Sequence, residues 1–445
     1  MSEKAPIYQP SIKQKVLRHL LALDQPITIL NATEAMAAQA RNFRWNFFFN
    51  AIDVTFFMGA ISLLSATTIL PLFVSKLSDS TIPITIVAML AQGGFLLPQI
   101  LSANFIEQLD HKKPVVVNLG FLTERLPAIL LVLAPLAAFW SPFAALILFL
   151  VLYAWFLLGG GVVTPAWQDM VARCFPVQWR GRFFGSTMFL GTLYGIGIAT
   201  AGGIILDSVL FPLNFAILFG IAGLSIIVSW FFLAQVREPI EAVNVPERST
   251  RQYLAELPAL LKADHNFRNY LIARFVMALA EMGSGYLTVA ALQVWAISDS
   301  LVAAFTTATL LGQTCASLLM GFLADRYGHR LSLEIACFSS ALAFGIAWLA
   351  PDPTWYLAVF FLLGVFMGAR IVSGMMVVLE FCTPEKRPTY VGIANTLSGI
   401  GSIIAPLIGA ALLIGGYSWS FVGSLLASVV ALFLFRFLVI EPRFA

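Results

Sequence analysis

The chain has 445 residues, 59% of them hydrophobic and only 11% charged, with a formal net charge of +3. Soluble domains carry roughly 25% charged residues, so a composition this apolar excludes an ordinary water-soluble fold. Apolar runs of at least ~18 residues recur along the chain, which points to bilayer-crossing helices and away from the short alternating segments of a membrane β-barrel.

Residues 1–45 read as a mostly polar tail. Within it, Ser11–Leu23 places Ile12, Val16 and Leu20 on one stripe apart from Lys13, Lys15 and Arg18, the pattern of a helix lying on the inner membrane surface. Twelve spans follow: 46–72, 82–106, 115–138, 142–166, 183–206, 213–235, 269–297, 301–323, 331–350, 355–380, 390–414 and 419–440. The charged stretch 237–268, with Pro239, Pro246 and Pro258, separates a six-helix unit at 46–236 from a second at 269–445. Inside that linker, Tyr253–Leu261 has the apolar spacing of a short surface helix.

Of the 26 Lys and Arg residues, 22 fall in the tail, the even-numbered connections or the C-terminal end. Positive charge is retained on the cytoplasmic side, so both termini are expected inside, in a cell membrane, plasma or inner. Lys76 alone lies in an odd-numbered connection, and Arg125, Arg274 and Arg370 lie within spans. His19, His111, His265 and His329 fall in cytoplasmic segments, and Cys174, Cys315, Cys337 and Cys382 lack metal-ligand spacing, so no metal or other cofactor is expected.

The halves echo one another. Asn42-Phe43-Arg44 precedes span 1 as Asn266-Phe267-Arg268 precedes span 7, and the interval from Arg180 to Gly185 recurs from Arg387 to Gly392. Between spans 8 and 9, Gly321–Arg330 reads GFLADRYGHR, a polar hinge between two apolar runs; a degraded copy, Ala103–Lys112, lies between spans 2 and 3. This decapeptide resembles the signature loop of the major facilitator superfamily, a family of secondary transporters. The resemblance implies an all-α integral membrane fold of twelve transmembrane helices in two pseudo-symmetric six-helix bundles, which rock about a central solute site. It also implies a cytoplasmic gate formed by Gly321, Asp325, Arg326, Gly328 and Arg330. Glu107 and Lys112 belong to the first-half copy, and Arg180 and Arg387 are flanking hinge residues.

Charges inside hydrocarbon cost roughly 2.5–3.5 kcal/mol each and demand partners or water. Asp53, Arg274, Glu281 and Arg370 lie on spans 1, 7 and 10, which line the cavity in the family resembled, with Asn50 at the echo position of Arg274. Trp167 and Gln168, after Gly159-Gly160-Gly161 on span 4, join them as candidates for solute binding or coupling, with Asp53 or Glu281 as proton carrier. Glu124 and Arg125 form a further intramembrane charge network. As neighbours on a helix they point about 100° apart, so they are not expected to pair with each other.

The expected activity is secondary active transport of a small organic solute by alternating access, coupled to protons, as symport or antiport. A drug or metabolite efflux antiporter is the nearest alternative, ahead of a non-transporting sensor or a membrane-embedded enzyme. The partners expected are the solute, protons and the lipid bilayer, with no nucleic acid, and the chain is expected to be a monomer. Short outer connections with isolated acids (Asp79, Asp207, Asp299, Asp352) and the lack of a phosphate-binding Walker sequence argue against an enzyme or an ATP-driven pump.

Overall fold

The computed structural model describes residues 20–22, 27–107, 109–240, 261–381 and 387–441. The predicted surface helix at Ser11–Leu23, most of the linker including Tyr253–Leu260, and Cys382 lie outside the described residues. Among the described residues, ten helices are long and apolar enough to cross a membrane. They are Ala32–Leu63, Pro142–Cys174, Val177–Ser208 and Leu213–Leu233 in the first half. In the second half they are His265–Trp295 (span 7, in three pieces), Asp299–Tyr327, His329–Leu349, Trp355–Glu380, Arg387–Leu412 and Tyr417–Leu438.

Spans 2 and 3 are segmented. Span 2 runs as Ile82–Met89, a π-helical turn Leu90–Gly94 and Phe95–Glu107. Span 3 runs as π-helical turns Val115–Leu119 and Phe121–Arg125, then Leu126–Leu130 and Leu133–Ala137. The chain is thus an integral membrane protein built of helices, its first half taken to residue 240 and its second from residue 261. Both termini leave the bundle on one side (the terminal side), opposite a far side.

Local chemistry moves several predicted boundaries. Span 1 begins at Ala32, well before residue 46, because Asn31 and Glu34 form a reciprocal capping box, with Glu34 N donating to Asn31 Oδ1 at 2.9 Å and Asn31 N to Glu34 Oε2 at 3.0 Å. It ends at Leu63, and Ile69–Ser75 is a separate buried helix. Span 7 starts at His265, where Asp264 Oδ1 accepts from Phe267 N at 2.8 Å. It tightens to a 3₁₀ stretch over Ala280–Tyr286, around Gly283 and Gly285, before continuing as Leu287–Trp295.

The signature loop also differs from the predicted polar hinge. The span 8 helix continues through Tyr327, and the turn is made at Gly328 alone, whose φ of +90° is left-handed backbone that favours glycine. A Cβ there would also stand 2.3 Å from Glu441 Cδ.

Each half is closed on itself by the same device. Asn46 on span 1 donates from Nδ2 to Arg237 O and accepts from Arg237 N at Oδ1, both at 2.9 Å, tying the first span to the end of the sixth. Asn266 makes the identical clamp on Ile440 at 2.8 Å, tying span 7 to the end of span 12. The internal echo is therefore one turn out of the predicted register: Asn266 matches Asn46 rather than Asn42, and Asn50 matches Tyr270 rather than Arg274.

Close helix approach is carried by glycine. A Cβ on Gly159 would stand 1.7 Å from the carbonyl oxygen of Thr123, and one on Gly161 2.5 Å from that of Phe95. Spans 2 and 3 thus meet the backbone of span 4 directly. Gly159→Ala is expected to lower the thermal midpoint and yield of purified protein, since overpacking costs about 1–3 kcal/mol. Gly197→Ala is the control, because its Cβ would meet nothing within 4 Å.

Candidate functional site

The halves are joined on the far side. Thr68 Oγ1 and Thr306 Oγ1 lie 2.6 Å apart, Thr288 Oγ1 donates to Thr67 O at 2.6 Å, and the Thr85 hydroxyl meets Tyr286 OH at 2.7 Å. Nearer the rim, Lys76 Nζ pairs with Asp299 Oδ1 at 2.8 Å, and Ser300 N donates to Asp207 Oδ1 at 3.2 Å. Asp299 and Asp207 are therefore not the isolated acids the sequence suggests, and Lys76, the one basic residue in an odd-numbered connection, has a partner in the other half. On the terminal side, the partners described for Arg173, Glu238 and Arg330 belong to their own half.

Within the first half a cavity of about 200 Å³ brings together Asp53, Glu124, Arg125, Trp167 and Gln168 from spans 1, 3 and 4. Asp53 is buried and accepts from Ser229 Oγ at 2.6 Å. Arg125 interacts electrostatically with Asp53, and its guanidinium lies 5.5 Å from the Phe57 ring centroid. Gln168 is exposed at the terminal-side mouth of this cavity. Glu124 and Arg125 contact each other directly, contrary to the expectation for adjacent helical positions, because they lie in the π-helical turn Phe121–Arg125. Gly160 makes room for the pair: a Cβ there would stand 2.8 Å from Glu124 Oε1.

A second, smaller cavity of about 40 Å³ lies between the halves, with Thr67 and Ala88 on one wall and Glu281, Ser284 and Pro406 on the other. Glu281 Oε1 pairs with Arg370 NH1 at 2.8 Å, joining spans 7 and 10. Arg274 takes no part in that pair. Its NH1 donates to Tyr270 OH at 2.8 Å and Gly374 O at 2.7 Å, and NH2 reaches Asn395 Oδ1 at 3.4 Å. Asn50 is fully buried, donating from Nδ2 to Asn46 O at 2.8 Å, and it lines neither cavity.

The described residues expected at the gate form clusters inside each half. Arg330 pairs with Glu334 at 3.0 Å, donates from NH1 to Val439 O at 2.9 Å, and offers its backbone N to Glu441 Oε2 at 2.7 Å. Arg326 lies over the adjacent Tyr327 ring at 5.4 Å. In the first half, Glu238 accepts from Lys112 N at 3.1 Å and Lys113 N at 2.7 Å, and pairs with Arg173 at 3.4 Å. Lys112 Nζ reaches Asp169 at 3.5 Å. Arg180 donates to the carbonyls of Phe175 and Ala172 at 3.1 and 2.5 Å, capping span 4. The side chains of Glu107, Asp325 and Arg387 and the surroundings of Gly321 lie outside the described residues.

Burial pushes the Glu238 carboxyl above the usual carboxylate range, and burial with the Lys113 and Arg173 charges pushes His111 below the usual imidazole range. Glu238 and Glu441, which accept from the backbone of the candidate gate residues Lys112 and Arg330, are not singled out by the sequence reading. The readable signal was Glu-Pro after the sixth span, at Glu238-Pro239, repeated after the twelfth at Glu441-Pro442.

Comparison with known proteins agrees with this architecture. The family profile described as Major Facilitator Superfamily matches residues 270–445. An uncharacterized MFS-type transporter of Bacillus subtilis is 26% identical over 273 residues, covering 58% of this chain and 65% of that protein. The chain spans 65%, 38% and 26% of the lengths of three curated relatives it matches. Among solved structures, a nucleoside transporter, NupG, superposes with a TM-score of 0.66 at 14% identity, covering 89% of this chain and 99% of the other. A D-xylose–proton symporter gives 0.66 at 13% identity, covering 90% and 99%. The second half of the chain is thus similar to the Major Facilitator Superfamily profile, the fold as a whole is similar to that of these solved transporters, and the curated relatives matched carry transporter names.

Proposed function

We propose that the protein is a secondary transporter that moves a small organic solute by alternating access, coupled to protons through Asp53. The observation that carries the reading is the placement of Asp53: a buried carboxylate on span 1, held by Ser229 and facing Arg125, in a cavity that also presents Glu124, Trp167 and Gln168. Glu281, already engaged by Arg370, is better suited to holding spans 7 and 10 together than to carrying the proton. With the terminal side in the cytoplasm of a cell membrane, as the positive charges favour, the far-side contacts seal the outer face. The relatives' printed names, which include niacin and 4-hydroxybenzoate transporters, support a small organic solute.

The test is uptake into sealed proteoliposomes with and without an imposed pH gradient, across a broad solute panel. Gradient-dependent accumulation of at least one solute is expected; none across the panel would overturn the reading.

The outer seal makes a separate prediction. Lys76→Glu sets two carboxylates against each other where a pair with 35% and 17% side-chain exposure now stands. An exposed pair is worth up to about 1 kcal/mol, which is about a fivefold shift in population toward the outward-open state. A cysteine introduced at Ala66, on the wall between the halves, should then react about fivefold faster with an impermeant thiol reagent added outside. The double swap Lys76→Glu with Asp299→Lys should restore the slow rate.

A further inference from the structure

Most intramembrane charges here have a counter-charge. Glu281 pairs with Arg370, Glu124 contacts Arg125, and Arg125 also interacts with Asp53. Toward the terminal side, Glu334 pairs with Arg330 and Arg436, Asp169 with Arg173, and His329 Nε2 lies 3.7 Å from Glu380. Arg274 differs. Its described partners are a phenol, a backbone carbonyl and an amide oxygen, all neutral. A guanidinium has five N–H donors, and these three acceptors leave donors free for a ligand.

Arg274 is placed where a solute would pass. Glu281, seven residues on, and Gly285 beyond it line the cavity between the halves, and on span 11 Ser402 does the same. Seven residues is about two helical turns, so Arg274 and Asn395 continue those same faces toward the terminal side. Both are partly exposed there. Gly374, whose carbonyl Arg274 holds, lies one turn beyond Arg370 on span 10. Two guanidinium groups therefore stand one above the other on the second-half wall.

The charges of the two halves are unbalanced in opposite senses. The first-half cavity holds two carboxylates, Asp53 and Glu124, against one guanidinium, Arg125. The second-half wall holds two guanidiniums, Arg274 and Arg370, against one carboxylate, Glu281. The empty site sums to zero. A proton alone leaves it net positive and an anion alone leaves it net negative, each an uncompensated intramembrane charge that is costly to carry through reorientation. A proton and a monoanion together leave each half neutral.

From this we infer that the solute is an organic monoanion, a carboxylate or a comparable acid, bound at Arg274, and that it moves with one proton in electroneutral symport. This rests on the proton-coupled transport proposed above, and it names the substrate class and the direction of coupling. The proton enters on the Asp53 carboxylate, converting it to the neutral acid, and leaves from it on the opposite side. No bond of the solute is made or broken.

The experiment uses the full-length protein in proteoliposomes, with acids matched to their uncharged amides: benzoate with benzamide, nicotinate with nicotinamide, lactate with lactamide. A pH gradient is imposed while potassium and valinomycin set the voltage. At least one acid is expected to accumulate while its amide does not, with the rate unchanged by voltage. Arg274→Gln should lower that uptake at least tenfold, and Arg274→Lys should retain part of it.

A measurement that needs no solute accompanies this. In wild type the solute-free site is neutral when deprotonated, whereas in Arg274→Gln it is neutral only when protonated, so the two proteins should reorient with opposite pH dependence. A cysteine at Ala66, read with an impermeant thiol reagent added outside, should react progressively faster in the Arg274→Gln background relative to wild type as pH falls, and Asp53→Asn in both backgrounds should abolish that change in the rate ratio. Gradient-driven accumulation of amides or amines instead of acids, or a rate ratio independent of pH in a monodisperse Arg274→Gln protein, overturns the inference and leaves proton-coupled transport standing. Absence of any gradient-driven flux together with a pH-independent ratio overturns both.

Discussion

Asp53→Asn is expected to abolish gradient-driven accumulation while leaving solute exchange intact. With one proton per solute, a gradient of one pH unit supplies 1.36 kcal/mol and supports a roughly tenfold accumulation ratio. Asparagine reproduces the shape and neutrality of the protonated acid and still accepts from Ser229, whose Oγ lies 2.6 Å from Asp53 Oδ1 in wild type. The variant should therefore fold, bind solute and exchange it across the membrane, yet show an accumulation ratio near one at any imposed gradient. Counterflow with a preloaded solute separates the two functions. A variant that still accumulates tenfold would move the proton carrier to another carboxylate, and Glu281→Gln would be the next to examine.

Glu238→Ala should give the largest loss of stability among single substitutions on the terminal side. The Glu238 side chain is fully buried, accepts two backbone N–H groups at the start of span 3, and faces Arg173, itself 12% exposed. Removing one member of a buried pair costs about 3 kcal/mol or more, because the remaining charge and donors lose their acceptor. The thermal midpoint in detergent reads it, and Glu441→Ala, which uncaps Arg330 N, should reproduce a smaller version in the second half.

The pH dependence follows from the direction of the shift. A carboxyl raised by burial binds its proton more tightly folded than unfolded, so its contribution to stability falls as pH rises above the ordinary carboxylate range. His111, lowered by burial, acts in the opposite sense at the acid end: its contribution is lost as pH falls below the ordinary imidazole value. Glu238→Gln should flatten the first slope, and because Glu238 Oε2 lies 3.6 Å from His111 Nε2 it should also alter the second.

The helical architecture was legible because apolar length is a strong signal, and the family resemblance because one polar decapeptide interrupts it. Details that depend on local winding were not. A period of 3.6 residues separates Glu124 from Arg125, whereas the π-helical turn brings them together. The 3₁₀ stretch around Glu281 was hidden inside a continuous apolar run, with Gly283 and Gly285 as its faint sign. The far-side seal was invisible for another reason. Thr68 and Thr306, or Thr85 and Tyr286, are unremarkable residues more than 200 positions apart, and only the fold pairs them. Lys76 was the exception, a lone positive charge in an outer connection that stood out before its partner was known.

The asparagine clamps carry a consequence for how the molecule is divided. Asn46 and Asn266 each fasten the first helix of a half to the exit of its last, so each half is a ring shut by its own hydrogen bonds. A break in the chain between the two clamps would leave the closing hydrogen bonds of both rings in place, so the two halves produced as separate polypeptides should each keep its first and last spans together.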